Sequence, residues 1–124
     1  MNLRHPPDLA SLRAAWWAAR AVRAARRELG DGNDYRALDL PPLPDLPPRA
    51  IRGVNAVIRR TSATCLVKAS VRQRWHAAHG DQRDLIIGVT PPAEGFKAHA
   101  WLDGDPESRS DEFTELTRVS ATAA

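Results

Sequence analysis

Cys65 is the single cysteine of this chain; it is followed by His99, and His99 by a run of acids that includes Asp111, Glu112 and Glu115. Cysteine, histidine and carboxylate form the set a thiol hydrolase needs: a sulfur to attack a carbonyl, an imidazole to move its proton, and an acceptor that holds the imidazole in one tautomer. One cysteine cannot close an internal disulfide, so packing, metal binding or reactivity must account for it. Metal binding finds no support, because one cysteine and four scattered histidines lack the short ligand spacings of a structural zinc site. No nucleotide loop or other cofactor motif is present, so none is expected.

The residues before Cys65, Thr61-Ser62-Ala63-Thr64, are good helix N-caps, and Gly80 is a helix stop, so residues 65 to 79 read as a helix. With Ser62 or Thr64 as the cap, the sulfur sits in the first turn. There, unpaired amides and the macrodipole favour an anion, the form in which sulfur attacks. The amide of Cys65 also becomes a donor for an oxyanion. The commoner fate of a lone cysteine is a small, inert core residue, so the identity of its partner decides the matter.

Three histidines compete with His99. His76 and His79 stand about 16 and 21 Å along the helix axis from Cys65, out of reach of the sulfur, and read as surface residues. His5 lies in a proline-rich terminus that gives poor support. Phe96, Ala98, Ala100 and Leu102 alternate with Lys97, His99, Trp101 and Asp103, the period of a strand. His99 therefore shares a face with Trp101 on a rigid element. The run Leu85-Ile86-Ile87-Gly88-Val89, bounded by Asp84 and by Pro91-Pro92, reads as a second, buried strand. Asp103 is about 13 Å along the strand from His99, too far for a direct bond. A reversal at Gly104-Asp105-Pro106 with antiparallel pairing would set residue 99 opposite Asp111; a longer loop would bring Glu112 or Glu115 there instead.

The elements that must position these residues give an α+β chain, with N-terminal helices ahead of a small antiparallel sheet. Its 124 residues suffice for one domain. Asp8 caps a first helix over residues 9 to 29 that is rich in alanine; Arg13, Arg20, Arg23 and Arg27 form a basic stripe with Trp16 among them. Such a stripe is most often a solvated face, and its functional reading is a dock for an acidic partner. Residues 1 to 39 form this basic helical segment. Residues 40 to 48 hold five prolines, Pro41, Pro42, Pro44, Pro47 and Pro48, and read as an extended connector. Residues 49 to 60 read as a short helix burying Ile51, Val54, Val57 and Ile58, and open a core that runs to residue 119, with residues 120 to 124 as a tail. The net charge is +3, basic toward the start and acidic over residues 103 to 115. No recognisable nucleic-acid motif accompanies the basic stripe. The first helix has no apolar run of membrane-spanning length, and with no secretion signal a reducing cytoplasm is the expected compartment.

Taken together, Thr64-Cys65-Leu66-Val67-Lys68-Ala69-Ser70, the Leu85-Ile86-Ile87-Gly88-Val89 strand and Gly95-Phe96-Lys97-Ala98-His99-Ala100-Trp101-Leu102 resemble the transglutaminase-like leader peptidases of lasso-peptide biosynthesis. The resemblance covers roughly residues 49 to 119. It implies a transglutaminase/papain-like core with Cys65 as nucleophile, His99 as base and Asp111 as the third member. It further implies a cysteine peptidase that removes the leader of a ribosomally made precursor through a thioester, before an asparagine-synthetase-like cyclase closes a macrolactam. The chain has no room for a winged-helix leader-recognition domain, so a separate small protein is expected to capture the leader. Trp101 and Trp75 are candidates to line the cleft. Two other classes fit the same residues: a transglutaminase-type acyl transferase, and a non-catalytic adaptor that holds an acidic leader on the arginine stripe. Departures from the family's pattern fall after Gly104, where Glu107-Ser108-Arg109-Ser110 intervenes before Asp111.

Overall fold

The computed structural model describes residues 8–91, 93, 95, 97–105 and 110–121. His5, Pro92, Phe96, Pro106, the run 107–109 and residues 122–124 of the tail, which entered the reading above, lie outside these residues, and the side chain of Ser110 is not described. Three helices, α1 (Leu9–Gly30), α2 (Ile51–Arg60) and α3 (Cys65–Ala78), precede the strands β1 (Leu85–Val89), β2 (Ala98–Leu102) and β3 (Thr114–Val119). The strands form one antiparallel sheet in the order β2-β1-β3. No helix among the described residues is long and apolar enough to cross a membrane.

Helix α1 starts where the side chain of Asp8 accepts from the amide of Ser11 at 2.8 Å, a cap that Arg49 braces at 3.2 Å. Ala14, Trp17, Ala18, Ala21 and Ala25 recur at helical spacing and are buried. Their small size brings α2 unusually close. A Cβ on Gly53 of α2 would meet the Ser11 carbonyl oxygen at 1.9 Å and the Ala15 nitrogen at 2.8 Å, so only glycine fits the crossing.

The proline-rich connector, expected to be extended, holds neither helix nor strand over residues 40 to 47, turns into a 3-10 helix at Pro48–Ala50, and is packed. Leu38, Leu40 and Leu46 are buried among α1, α2 and α3. The indole of Trp17 donates to the Pro41 carbonyl at 2.9 Å, and Arg74 donates to the Leu38 carbonyl at 3.2 Å. His79, expected at the surface, instead places its two ring nitrogens 2.8 Å from the Trp75 carbonyl and 2.9 Å from the Leu46 carbonyl. It ties the connector to the end of α3. Trp75 lies against His79 with the rings tilted and packs near Trp17 in this helical core; it is not among the residues that line the cleft.

Helix α3 lies between two cores. Val67, Val71 and Trp75 face α1 and α2, while Ala69, Cys65 and Leu66 meet Leu85, Ala100 and Leu102 of the sheet. Gln73 fastens the sheet to the helix by donating to the carbonyls of Arg83 at 2.8 Å and Val119 at 3.0 Å. Near the end of the same helix, burial pushes the His76 imidazole below its ordinary 6.5; Arg83 adds to the shift and Asp81 opposes it. An unfolded chain therefore takes up this proton at a higher pH than the folded one. The resulting stability is complete above about pH 6.5 and is lost as the pH falls below it. His76→Gln should flatten that acid limb of a urea-midpoint against pH curve, and an unchanged slope would rule the imidazole out as its cause.

Candidate active site

Cys65 is the first residue of α3. The Thr64 hydroxyl accepts from the Val67 amide at 3.3 Å, and the Lys68 amide donates to the Thr64 carbonyl at 3.1 Å. Of the two caps considered, Thr64 is therefore the one used. Helix geometry leaves the amides of Cys65 and Leu66 without an intrahelical acceptor, beside a half-buried sulfur.

The strand that carries His99 reaches the sulfur with its edge. Thr90 N–H donates to the Lys97 carbonyl and Asp103 N–H to the Asp84 carbonyl, each at 2.9 Å. Bonded and non-bonded pairs alternate in an antiparallel ladder, so the Gly88–His99 pair is hydrogen-bonded and the Ile87–Ala100 pair is not. The Ala100 amide consequently points away from β1, off the open side of β2. It donates to Cys65 Sγ at 3.4 Å. His99 Cα is two bonds from that amide nitrogen, which places it within about 6 Å of the sulfur. Cys65 and His99 line one cavity of about 140 Å³.

His99 is half-buried and rests on aromatic rings. Its imidazole stacks on Trp101 with centroids 5.7 Å apart and touches Phe113 at 5.1 Å, while Trp101 and Phe113 are 6.2 Å apart. Gly88 makes room for this cluster. A Cβ there would meet the far edge of the Trp101 ring at 2.9 Å, the Thr114 carbonyl at 2.9 Å and Phe113 Cβ at 3.0 Å. Gly88→Ala should lower stability by about 1–3 kcal/mol and alter the near-UV circular dichroism of the tryptophans. An unfolding midpoint equal to that of the parent would show that the cluster is not cramped.

The pairing expected between the histidine strand and the acid-bearing strand does not form. β1 is rich in apolar residues and takes a neighbour on each side, so β3 lies beyond it; His99 faces Gly88, and so does Glu115 from the opposite side. Their backbones are thus two strand spacings apart, about 10 Å. The Glu115 carboxylate is held by Arg118 Nε at 2.7 Å, and the same guanidinium reaches Asp84 at 3.3 Å and Asp103 at 3.4 Å. These carboxylates, Glu115 first, push the guanidinium above its already high ordinary range. Asp111 and Glu112 are exposed in a 3-10 turn, Ser110–Glu112, directly before Phe113. That turn arrives at the histidine through the Phe113 ring.

Sequence reasoning missed three residues of the cavity: Lys68, Arg72 and Asp105. Lys68 and Arg72 follow Cys65 by three and seven positions, the spacing of one helix face, so they were within reach of the sequence pattern. Asp105 was read as a turn residue. Its amide does close a turn onto the Leu102 carbonyl at 3.1 Å, but its carboxylate meets Arg72 at 3.6 Å on the cavity wall.

The family model described as the transglutaminase-like superfamily aligns with residues 8–120. The chain belongs to the transglutaminase-like superfamily. That superfamily holds cysteine peptidases and acyl transferases and is generally catalytic. The transglutaminase-like match takes in α1 as well as the motifs between residues 49 and 119, in keeping with a core that α1 shares with α2 and α3. No curated protein and no solved structure is matched.

Proposed function

We propose that this transglutaminase-like chain is a cytoplasmic cysteine peptidase that removes the leader from a lasso-peptide precursor before macrolactam closure. The observation that supports the chemistry is the cavity that Cys65, at the start of α3, and His99 both line, with the Ala100 amide on the sulfur. The Cys65 thiolate attacks the carbonyl at the leader–core junction, and the first-turn amides beside it are suited to hold the oxyanion. His99 protonates the departing amine of the core peptide as the carbon–nitrogen bond breaks, leaving the leader as a thioester. Water, deprotonated by His99, then attacks the thioester and frees the leader as a carboxylate and the sulfur as thiolate.

The lasso assignment and the role of Asp111 rest on the resemblance of the motifs around Cys65, Gly88 and His99. Support for Asp111 comes from its place two residues before Phe113, which touches the His99 ring. The partners proposed are the precursor's leader, a separate small leader-recognition protein and an asparagine-synthetase-like cyclase that uses the freed amine.

The test is to incubate the chain with a lasso precursor and its leader-recognition protein in ¹⁸O water and weigh the products. Cleavage gives a free core peptide and a leader with ¹⁸O in its new carboxylate. A crosslinked or amine-capped leader without label would establish acyl transfer instead, and an intact precursor would refute both. Asp111→Asn should slow cleavage by about 10²-fold or more, and Asp105→Asn much less; the reverse ranking would move the third role to Asp105.

A further inference from the structure

Three of the large apolar side chains that stand exposed lie on one line of α1: Leu9 at 72%, Leu12 at 53% and Trp16 at 70% exposure. They occupy positions i, i+3 and i+7, and on the same 100°-wide sector follow Arg20, Arg23 and Arg27, all exposed. The helix thus presents a stripe that is apolar in its first half and cationic in its second. Its opposite face is committed to the core through Ala14, Trp17, Ala18 and Ala21.

The ground beside the apolar half is also cationic. A hollow of about 310 Å³ runs from Leu12 and Trp16 to Arg13, Arg20 and Pro44. On the other side of Leu12 a hollow of about 290 Å³ is bordered by Arg52 and Arg59 of α2. Among the described residues, neither has an acid in its lining. Beside the cationic half, Asp39 lines a hollow with Arg20, Arg23 and Arg27, and its amide donates to the Glu28 carboxylate at 3.1 Å. None of these residues belongs to the cavity of Cys65 and His99.

We infer that the outer face of α1 is a docking surface for an acidic amphipathic helix of a partner polypeptide, whose apolar anchors cover Leu9, Leu12 and Trp16 and whose carboxylates meet Arg20, Arg23 and Arg27. A ridge of side chains with a hollow on each side is what ridges-into-grooves packing of a second helix requires, and anchors at i, i+3 and i+7 are the usual reading frame of helix recognition. The separation of apolar and cationic halves along the axis favours a partner with a matching order over a uniform anionic surface such as a lipid bilayer. Burial of the opposite face also keeps α1 from rolling into a bilayer. The surface needs neither Cys65 nor His99, so this inference stands apart from the proposed peptidase activity.

The probe is a fluorescein-labelled synthetic peptide of α1's length, amphipathic, with leucines leading and glutamates trailing on one helical face, titrated with the full chain and read by anisotropy. It should bind saturably, and raising NaCl from about 50 to 500 mM should weaken binding at least tenfold. Trp16→Ser and the double variant Arg20→Glu/Arg27→Glu, each checked for an unchanged melting temperature, should each weaken it at least about tenfold. A peptide with lysine in place of glutamate, or with the helical order scrambled, should not bind. Absence of binding, equal binding of the lysine or scrambled peptide, or unchanged binding by both variants would overturn the inference. So would a Trp16-dependent dimer in sedimentation, which would assign the face to a second copy of the chain, or Trp16-dependent capture by phosphatidylglycerol vesicles without peptide binding, which would assign it to lipid.

Discussion

Cys65→Ala should leave no detectable leader cleavage, and His99→Ala should slow it by at least about a thousandfold, measured as product formation in single turnovers with precursor and leader-recognition protein present. The first loss is total because the bond to the acyl group forms at the sulfur. The second is partial, since the nucleophile and the first-turn amides that face an oxyanion remain while proton transfer to the amine falls to water. Both side chains border the cavity and also pack, Cys65 on the core under the sheet and His99 on Trp101 and Phe113, so the unfolding midpoint of each variant is measured beside its activity. Cleavage that survives in Cys65→Ala would end the nucleophile assignment. Cleavage lost together with the fold in His99→Ala would reduce the imidazole to a support for Trp101 and Phe113.

The largest stability effect is expected from a single methyl group at the α1–α2 crossing. In an isolated helix, Gly53→Ala would be favourable by about 1 kcal/mol. Here the new carbon would sit 1.9 Å from the Ser11 carbonyl oxygen, a backbone atom that cannot swing aside. The helices must separate, and the contacts of Ala14, Trp17 and Val54 loosen with them. A net loss of about 2–3 kcal/mol or more is expected in urea unfolding. Gly30→Ala is the control: nothing lies within 4 Å of a Cβ there, and the change should be neutral or mildly stabilising. Equal stabilities of the two variants would show that the crossing is looser than described.

The elements around the sulfur were legible because their signals are local. Thr64 as cap, Gly80 with its positive φ as stop, and the alternation around His99 each operate over a few residues, and α3, β1 and β2 appear where they indicate. Strand order is not a local property. Gly104 and Asp105 suggested a hairpin joining β2 to β3, yet β1 takes both as neighbours; the mostly apolar composition of Leu85 to Val89 was the sign that it would be central. His79 was misread for a related reason. Its acceptors include the carbonyl of Leu46, which the fold brings from far along the chain, and no spacing within α3 announces it. Lys68 and Arg72 were visible in helical register with Cys65, whereas the carboxylate of Asp105 reaches the cavity only because the turn after β2 folds back toward α3.

Because one face of α3 completes the helical core and another completes the core under the sheet, neither half has a finished interior without it. Heating should therefore melt the molecule in a single cooperative step, with calorimetric and van't Hoff enthalpies in agreement. The thiol at the tip of that shared helix would then gain full solvent access only through global unfolding or through the mouth of its own cavity, so the rate at which Cys65 is alkylated in the native protein is a gauge of entry to the cleft and not of breathing elsewhere.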